Sequence, residues 1–331
     1  MKLSIGIVGL PNVGKSTLFK ILTNQDIVIA NYPFATIDPN VGIVPVPDER
    51  LQKLTTLSNS KKTIPAVVEF YDIAGLVKGA SQGEGLGNQF LSHIRDTQAI
   101  VIVLRVFEDP GIIHVENTVD ALRDMEILKI ELVLKDLETV EKRLGKLEGE
   151  AKGGDKEKIK QFKSLKKVRD ELQKNNLALP FSGESIVREL QLLTSKKQLY
   201  LLNGKENDVS DALRAAIKAV GADYIVMDLK EANEVGPLIR KGHEALSLIS
   251  FFTTGEDETR AWTIECGTKA PQAAGVIHTD FENKFIRAEV ISADKLLEAG
   301  GWSKAKQKGL MRLEGKEYVV LDGDVMEIRH G

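Results

Sequence analysis

Eight residues constrain this chain more than any others: Gly9-Leu10-Pro11-Asn12-Val13-Gly14-Lys15-Ser16. Their spacing, G-x-x-x-x-G-K-[ST], is that of a phosphate-binding loop. The glycines let backbone N–H groups turn inward around an anion, in conformations costly for other residues. Those N–H groups form a concave nest at a helix N-terminus. The motif follows an apolar run, residues 2–9, that reads as a buried strand, and opens residues 15–24, which read as a helix. A strand feeding a helix through such a loop predicts an α/β sheet. Asn12, Val13 and Gly14 are expected to line the phosphates. Lys15 would set a cation against the β- and γ-phosphates, the Ser16 hydroxyl would ligate Mg²⁺, and Thr17 would reach the α-phosphate.

The α/β pattern continues. Val67–Tyr71, Ala99–Val106, Gln198–Leu202 and Tyr224–Met227 are apolar strand candidates, with helices expected over 209–220 and 235–248. Continuous apolar runs suit strands covered on both faces, so a doubly wound, mostly parallel sheet is expected. Residues 25–50 read as loop, with prolines at 33, 39, 45 and 47. From Glu116 the pattern becomes long helix. Ile130, Val133, Leu137, Val140, Leu144 and Leu147 form a heptad seam, which Gly149, Gly153 and Gly154 are expected to break. A second helix, 156–174, completes an antiparallel coiled-coil hairpin. Its lysines (152, 156, 158, 160, 163, 166, 167) read either as a solvated face or as a basic arm touching RNA phosphates. The strand candidates 248–253, 260–264, 285–291, 317–320 and 325–329, with a helix near 271–279, predict a small α+β module. The expected division is 1–115 with 196–248 as the nucleotide domain, 116–195 as the helical insert, and 249–331 as the last module.

Three further segments carry chemistry. Asp72-Ile73-Ala74-Gly75 ends a strand and reads as a metal carboxylate with a switch. Asp72 would hold Mg²⁺ through a water, and the Gly75 N–H would bond the γ-phosphate. Thr36, in Ala35-Thr36-Ile37-Asp38-Pro39, would give its hydroxyl to Mg²⁺. The third segment is Asn203-Gly204-Lys205-Glu206, where guanine-specific enzymes carry N-K-x-D. Glu206 is longer than aspartate, which disfavours the bidentate reading of guanine and makes ATP competitive. Leu76 stands where a water-orienting glutamine is usual and cannot hydrogen-bond water. His114, in the loop after a strand, can reach the γ-phosphate if that loop folds inward. Asn12 is placed to help hold a monovalent cation such as K⁺, or else bonds the loop backbone.

The chain has 331 residues with formal net charge −3, which argues against a uniformly basic surface. Its one cysteine, Cys266, excludes an intramolecular disulfide and a Cys-based zinc site and fits a reducing cytosol. No signal h-region or membrane-length apolar run is evident. A soluble, monomeric, cytoplasmic protein is expected.

These motifs resemble the YchF/Obg-like ATPase family. The resemblance rests on the phosphate loop, on Asn-Tyr-Pro-Phe-Ala-Thr-Ile-Asp-Pro-Asn at 31–40, and on Asp-Ile-Ala-Gly-Leu-Val-Lys-Gly-Ala-Ser at 72–81. It also rests on residues 83–88 and 260–264, and on the 270–281 segment from Ala270 to Phe281. It covers nearly the whole chain and is weakest over 145–195. It implies a Ras-like P-loop domain, an inserted helical domain and a β-grasp module of TGS type. It further implies ATP favoured over GTP, with N-x-x-E at Asn203 and Glu206. His114 would be the candidate catalytic group, and the partner a ribosome or ribosomal subunit, in translation or stress regulation. Residues 227–234 show no clean base-contacting motif of the family. Two other readings remain: a GTPase in which Glu206 still reads guanine, and a non-catalytic, nucleotide-dependent RNA-binding module.

Overall fold

The computed structural model describes residues 3–23, 41–72, 94–232 and 235–331. Thr36, Gly75 and Leu76 lie outside them.

The central sheet has strand order β2-β4-β1-β5-β6-β7. Its members are β1 (Leu3–Val8), β2 (Val41–Pro45), β4 (Val67–Asp72), β5 (Ala99–Arg105), β6 (Lys197–Asn203) and β7 (Asp223–Met227). All neighbours run parallel except β2, which is antiparallel to β4. Every residue of β5 is buried, which is why its sequence is a continuous apolar run rather than an alternation. From β1 the chain goes out to the edge strand β2, returns to β4 beside β1, and then crosses to β5 on the other side of β1. The strand order therefore reverses beside β1, the place where open α/β sheets bind ligands. Helix α1 (Lys15–Thr23) follows β1 directly. Sequence reading missed β2, whose alternating burial across Val41–Pro45 lay among the prolines that read as loop. It also missed α2 (Glu49–Ser58), capped by Asp48.

Helix α3 (Ala121–Lys152) is capped by Asp120 and is about 48 Å long. Its first turns place Met125, Leu128 and Leu132 in the main core. Farther out, Val133, Val140, Leu144 and Leu147 pack on Leu165, Val168 and Leu172 of α4 (Lys156–Gln173), forming a separate core. Two details differ from expectation. Ile130 is 43% exposed, because the inner turns face the sheet and the seam begins at Val133. Gly149 does not break the helix, which continues to Lys152. A Cβ at Gly145 or Gly149 would meet nothing within 4 Å, so both face outward while Leu144 and Leu147 hold the turn. The reversal comes at Gly153 and Gly154. Beyond α4 the chain returns through α5 (Ser185–Leu190). Asp136 of α3 accepts from the Leu193 and Thr194 N–H groups at 2.9 and 2.7 Å. Helices α6 (Asp211–Ala219) and α7 (Gly236–Ala245) complete this half.

The second sheet has order β11-β10-β12-β8-β9-β3. Strands β8 (Leu248–Thr254) and β9 (Glu258–Glu265) form a hairpin, and β8 lies parallel to β12 (Asp324–His330). Strand β10 (Phe285–Ser292) is antiparallel to both β12 and β11 (Arg312–Glu314). With α8 (Ala270–Ile277) crossing between β9 and β10, this is the β-grasp arrangement. The expected strand at 317–320 is instead a loop, and β11 lies earlier. The Tyr318 carbonyl and the Val320 N–H are used by Ala270 and Thr268, which hold this stretch against the start of α8. The sixth strand comes from far away in sequence. Strand β3 (Lys62–Ile64) pairs parallel with β9, covering an edge that would otherwise be open. Arg50 of α2 bonds both Asp48 and Asp322 at 2.7 Å. The last module is thus tied to the nucleotide half by a strand and an ion pair.

Candidate functional site

The ends of β1, β5, β6 and β7 converge on one cavity of about 400 Å³. Asn12, Gly14, Lys15, Ser16 and Thr17 form one wall. Phe107, Asp109 and Ile112, after β5, form another, and Asn203, Leu229 and Lys230 form the third. Asp72 ends β4, paired in register with Ile7 of β1. The parallel sheet thus delivers all these groups to one edge.

Two glycines fix the loop. A Cβ on Gly9 would lie 2.7 Å from the Val103 carbonyl oxygen of β5. Gly14 has φ +110°, and a Cβ there would lie 2.5 Å from Asn203 Nδ2. Lys15 is 8% exposed, and its ammonium donates to the Leu10 carbonyl at 2.6 Å. Burial lowers it to about 8, and Asp72 pulls the other way. The same burial raises the Asp72 carboxyl, opposed by Lys15. Ser16 and Thr17 are exposed at the start of α1, where helix N–H groups favour an anion. A hydroxyl at a phosphate nest with one carboxylate nearby is a fitting donor set for Mg²⁺, which keeps waters and shares phosphate oxygens.

Asn203 is 5% exposed. Its Nδ2 donates to the Val13 carbonyl at 2.8 Å, and its Oδ1 accepts from the Leu229 N–H at 3.1 Å. It lines the cavity but spends its amide on bracing the phosphate loop against the turn after β7. Asn203→Ala would leave a buried N–H and a carbonyl unpaired, at a cost of about 2–4 kcal/mol. The expected result is a lower denaturant midpoint at unchanged m-value, with weaker nucleotide binding.

Glu206 does not line the cavity. It sits in a short 3₁₀ turn, with its side chain 65% exposed and paired to Arg214 of α6 at 2.8 Å. Nor does His114 line it. The ring is buried, and its Nδ1 accepts from the Glu116 N–H at 3.2 Å. Its Nε2 faces Asp124 Oδ2 at 2.8 Å, within hydrogen-bond distance, with both side chains buried. Burial raises the Asp124 carboxyl, opposed by His114 and Arg123. The Asn12 side chain donates to the Ile113 carbonyl at 3.1 Å, joining the phosphate loop to the 107–114 loop.

Sequence reading overlooked Arg105, which falls inside the apolar strand candidate Ala99–Val106. It is 1% exposed. Its guanidinium donates to the carbonyls of Phe107, Ile112 and Asp109 at 3.0, 2.9 and 3.2 Å, gathering the loop that walls the cavity. Only the placement of Phe107, Asp109, Leu229 and Lys230 just after strands could have marked them.

Comparison with known proteins matches this architecture. A family model described as 50S ribosome-binding GTPase matches residues 4–138. The YchF-type GTPase C-terminal model, described as a protein of unknown function, matches residues 248–331. The chain is 47% identical to the "Ribosome-binding ATPase YchF" of Bacillus subtilis (strain 168), over 99% of each chain. It is 45% identical to the protein of that name from Escherichia coli O157:H7, over 98% of each. The chain belongs to the YchF family. The solved structure of the Schizosaccharomyces pombe YchF GTPase superposes with TM-score 0.83 at 39% identity, covering 99% of this chain and 98% of that one. The YchF C-terminal match begins at Leu248, the first residue of β8. Strand β3, which closes the same sheet, lies outside that match.

Proposed function

We propose that the chain hydrolyses the γ-phosphate of a Mg²⁺-bound nucleoside triphosphate, with ATP preferred to GTP, and acts as a nucleotide switch on the ribosome. The observation that carries this reading is the cavity itself. A glycine-built anion cradle and a buried ammonium line it where the strand order reverses, and the strand-end carboxylate of Asp72, outside the lining, is near enough to act on the Lys15 charge. Phosphoryl transfer needs positioning and charge neutralisation more than covalent chemistry. Lys15 and the backbone around Gly14 would bind and orient the phosphates. Ser16 and Asp72, with Thr36, would hold Mg²⁺, which neutralises charge on the β- and γ-phosphates. The Gly75 N–H would sense the γ-phosphate. K⁺ would take the amide oxygen of Asn12, whose nitrogen is engaged with Ile113.

The base side supports adenine. Guanine reading needs a carboxylate facing N1–H and the 2-amino group, and Glu206 is instead paired with Arg214 outside the cavity lining. The names of relatives point both ways: those from bacteria are called ribosome-binding ATPases, and the fission yeast structure a GTPase. Titration of the protein with Mg²⁺ and fluorescent ATP, displaced by unlabelled ATP or GTP, decides between them. ATP is expected to displace about tenfold better, which is about 1.4 kcal/mol. A tenfold advantage for GTP would overturn the adenine reading. Among the described residues no helix is long and apolar enough to cross a membrane. A cytoplasmic monomer with a ribosomal, RNA-containing partner completes the reading.

A further inference from the structure

We propose that the outward face of α4 grips RNA phosphates, and that this is the surface through which the chain holds the ribosome. The inference rests on the ribosome-binding reading above and adds the place and the chemistry of contact.

Helix α4 carries seven basic and three acidic residues in a chain of net charge −3. Lys156, Lys160, Lys163 and Lys167 recur at intervals of four, three and four. At 3.6 residues per turn they form one stripe, about 16 Å long. Leu165, Val168 and Leu172, buried against α3, lie on the opposite side. All four lysines are exposed.

Among the described residues Lys142, Lys146 and Lys166 of the arm also form no ion pair, so what sets this stripe apart is four unpaired lysines aligned on one face of one helix. Elsewhere on the arm, Lys129, Lys135, Arg143, Lys152, Lys158 and Lys174 each have a carboxylate partner. Among the described residues none of the four stripe lysines forms an ion pair. Asp170 is taken by Arg169, and Glu171 by Lys174. Like charges three and four residues apart destabilise a helix, and a polyanion lying along the stripe removes that repulsion.

Nucleic acid fits better than an acidic protein. A straight row of unpaired ammonium groups matches a repeating line of single negative charges. No aromatic group stands in the stripe. The nearest ring, Phe162, is covered by the Lys166 ammonium at 5.3 Å from its centroid. Base stacking is therefore not offered, and the contact is to the backbone and independent of sequence.

The test compares the full chain with K156Q/K160Q/K163Q/K167Q in co-sedimentation with ribosomes between about 50 and 200 mM KCl, where each phosphate contact contributes about 0.7–0.9 to the salt slope. The stripe variant is expected to bind at least about tenfold more weakly, with a log–log slope shallower by about 3. Its Tm should equal or slightly exceed that of the parent chain, since the repulsion along the helix is relieved, and its ATP turnover without ribosomes should match the parent. A control with the same charge change at Lys53, Lys61, Lys241 and Lys269, all paired with carboxylates, should bind as the parent does. A short fluorescein-labelled RNA duplex is the second probe, and the stripe variant should bind it at least about tenfold more weakly. Equal ribosome binding and equal slopes for parent and stripe variant would overturn the inference. Loss of ribosome binding with unchanged duplex binding would also overturn it, by assigning the stripe to an acidic protein. If the parent chain itself fails to sediment with ribosomes, the ribosome-binding reading falls, and the duplex alone decides whether the stripe binds RNA.

Discussion

Lys15→Ala is expected to lower kcat/KM for ATP on the order of 10²–10³-fold, the usual effect of removing one preorganised charge from a site of this kind. Two features make the effect large. The ammonium is buried, so its attraction for phosphate is poorly screened by water. It is also fixed, because the Leu10 carbonyl holds it at 2.6 Å. A pH dependence follows from the same burial. The free site holds Lys15 at about 8, and the cation is the form that attracts phosphate. Bound phosphate raises that value further, so binding takes up a proton above pH 8. ATP affinity is therefore full below about 8 and weakens as pH rises through it. Titrations from pH 6.5 to 9.5 should show this decline in the parent chain and not in Lys15→Ala. Equal turnover in the two proteins would remove Lys15 from the chemistry and leave the non-catalytic, nucleotide-dependent module as the better reading.

The nucleotide edge of the sheet was legible because its constraints are local. Gly9 and Gly14 are dictated by close approach and by backbone angle, so a short motif announces them. The buried strands announced themselves as apolar runs. Other features depend on contacts between distant residues. Lys62–Ile64 has no reason to be a strand until β9 lies beside it. Arg105 is one more residue of an apolar strand candidate until the loop closes its three carbonyls around it. Glu206 followed the sequence pattern of a base-reading carboxylate, yet a 3₁₀ turn and Arg214 carry it outside the cavity lining. The spacing of Asn203 was meaningful, but the bonds it makes are to Val13 and Leu229. That bracing appears only when two loops are seen together.

His114→Ala is expected to lower kcat on the order of 10²-fold, the lower end for a group that handles a proton, while ATP affinity stays within about twofold. The two effects separate because His114 does not line the cavity. Its neighbour Ile113 is held to the phosphate loop by Asn12, so the backbone at 113 is already at the site while the ring turns away into Asp124. Since Nδ1 accepts the Glu116 N–H, the proton of a neutral ring sits on Nε2, the nitrogen facing Asp124. To act on the γ-phosphate or its attacking water, the ring must leave Asp124 and swing about the 113–114 backbone. Asp124→Asn keeps the shape of the partner and removes its charge, weakening the hold on the ring. Single-turnover hydrolysis by Asp124→Asn should therefore be faster than in the parent chain, and His114→Ala should abolish that gain in the double variant. A His114→Ala protein with unchanged kcat would make the pair an anchor for the start of α3 and leave the water to another group. Reduced turnover in Asp124→Asn, equal to that of His114→Ala, would instead make Asp124 the residue that orients the ring in the reacting state.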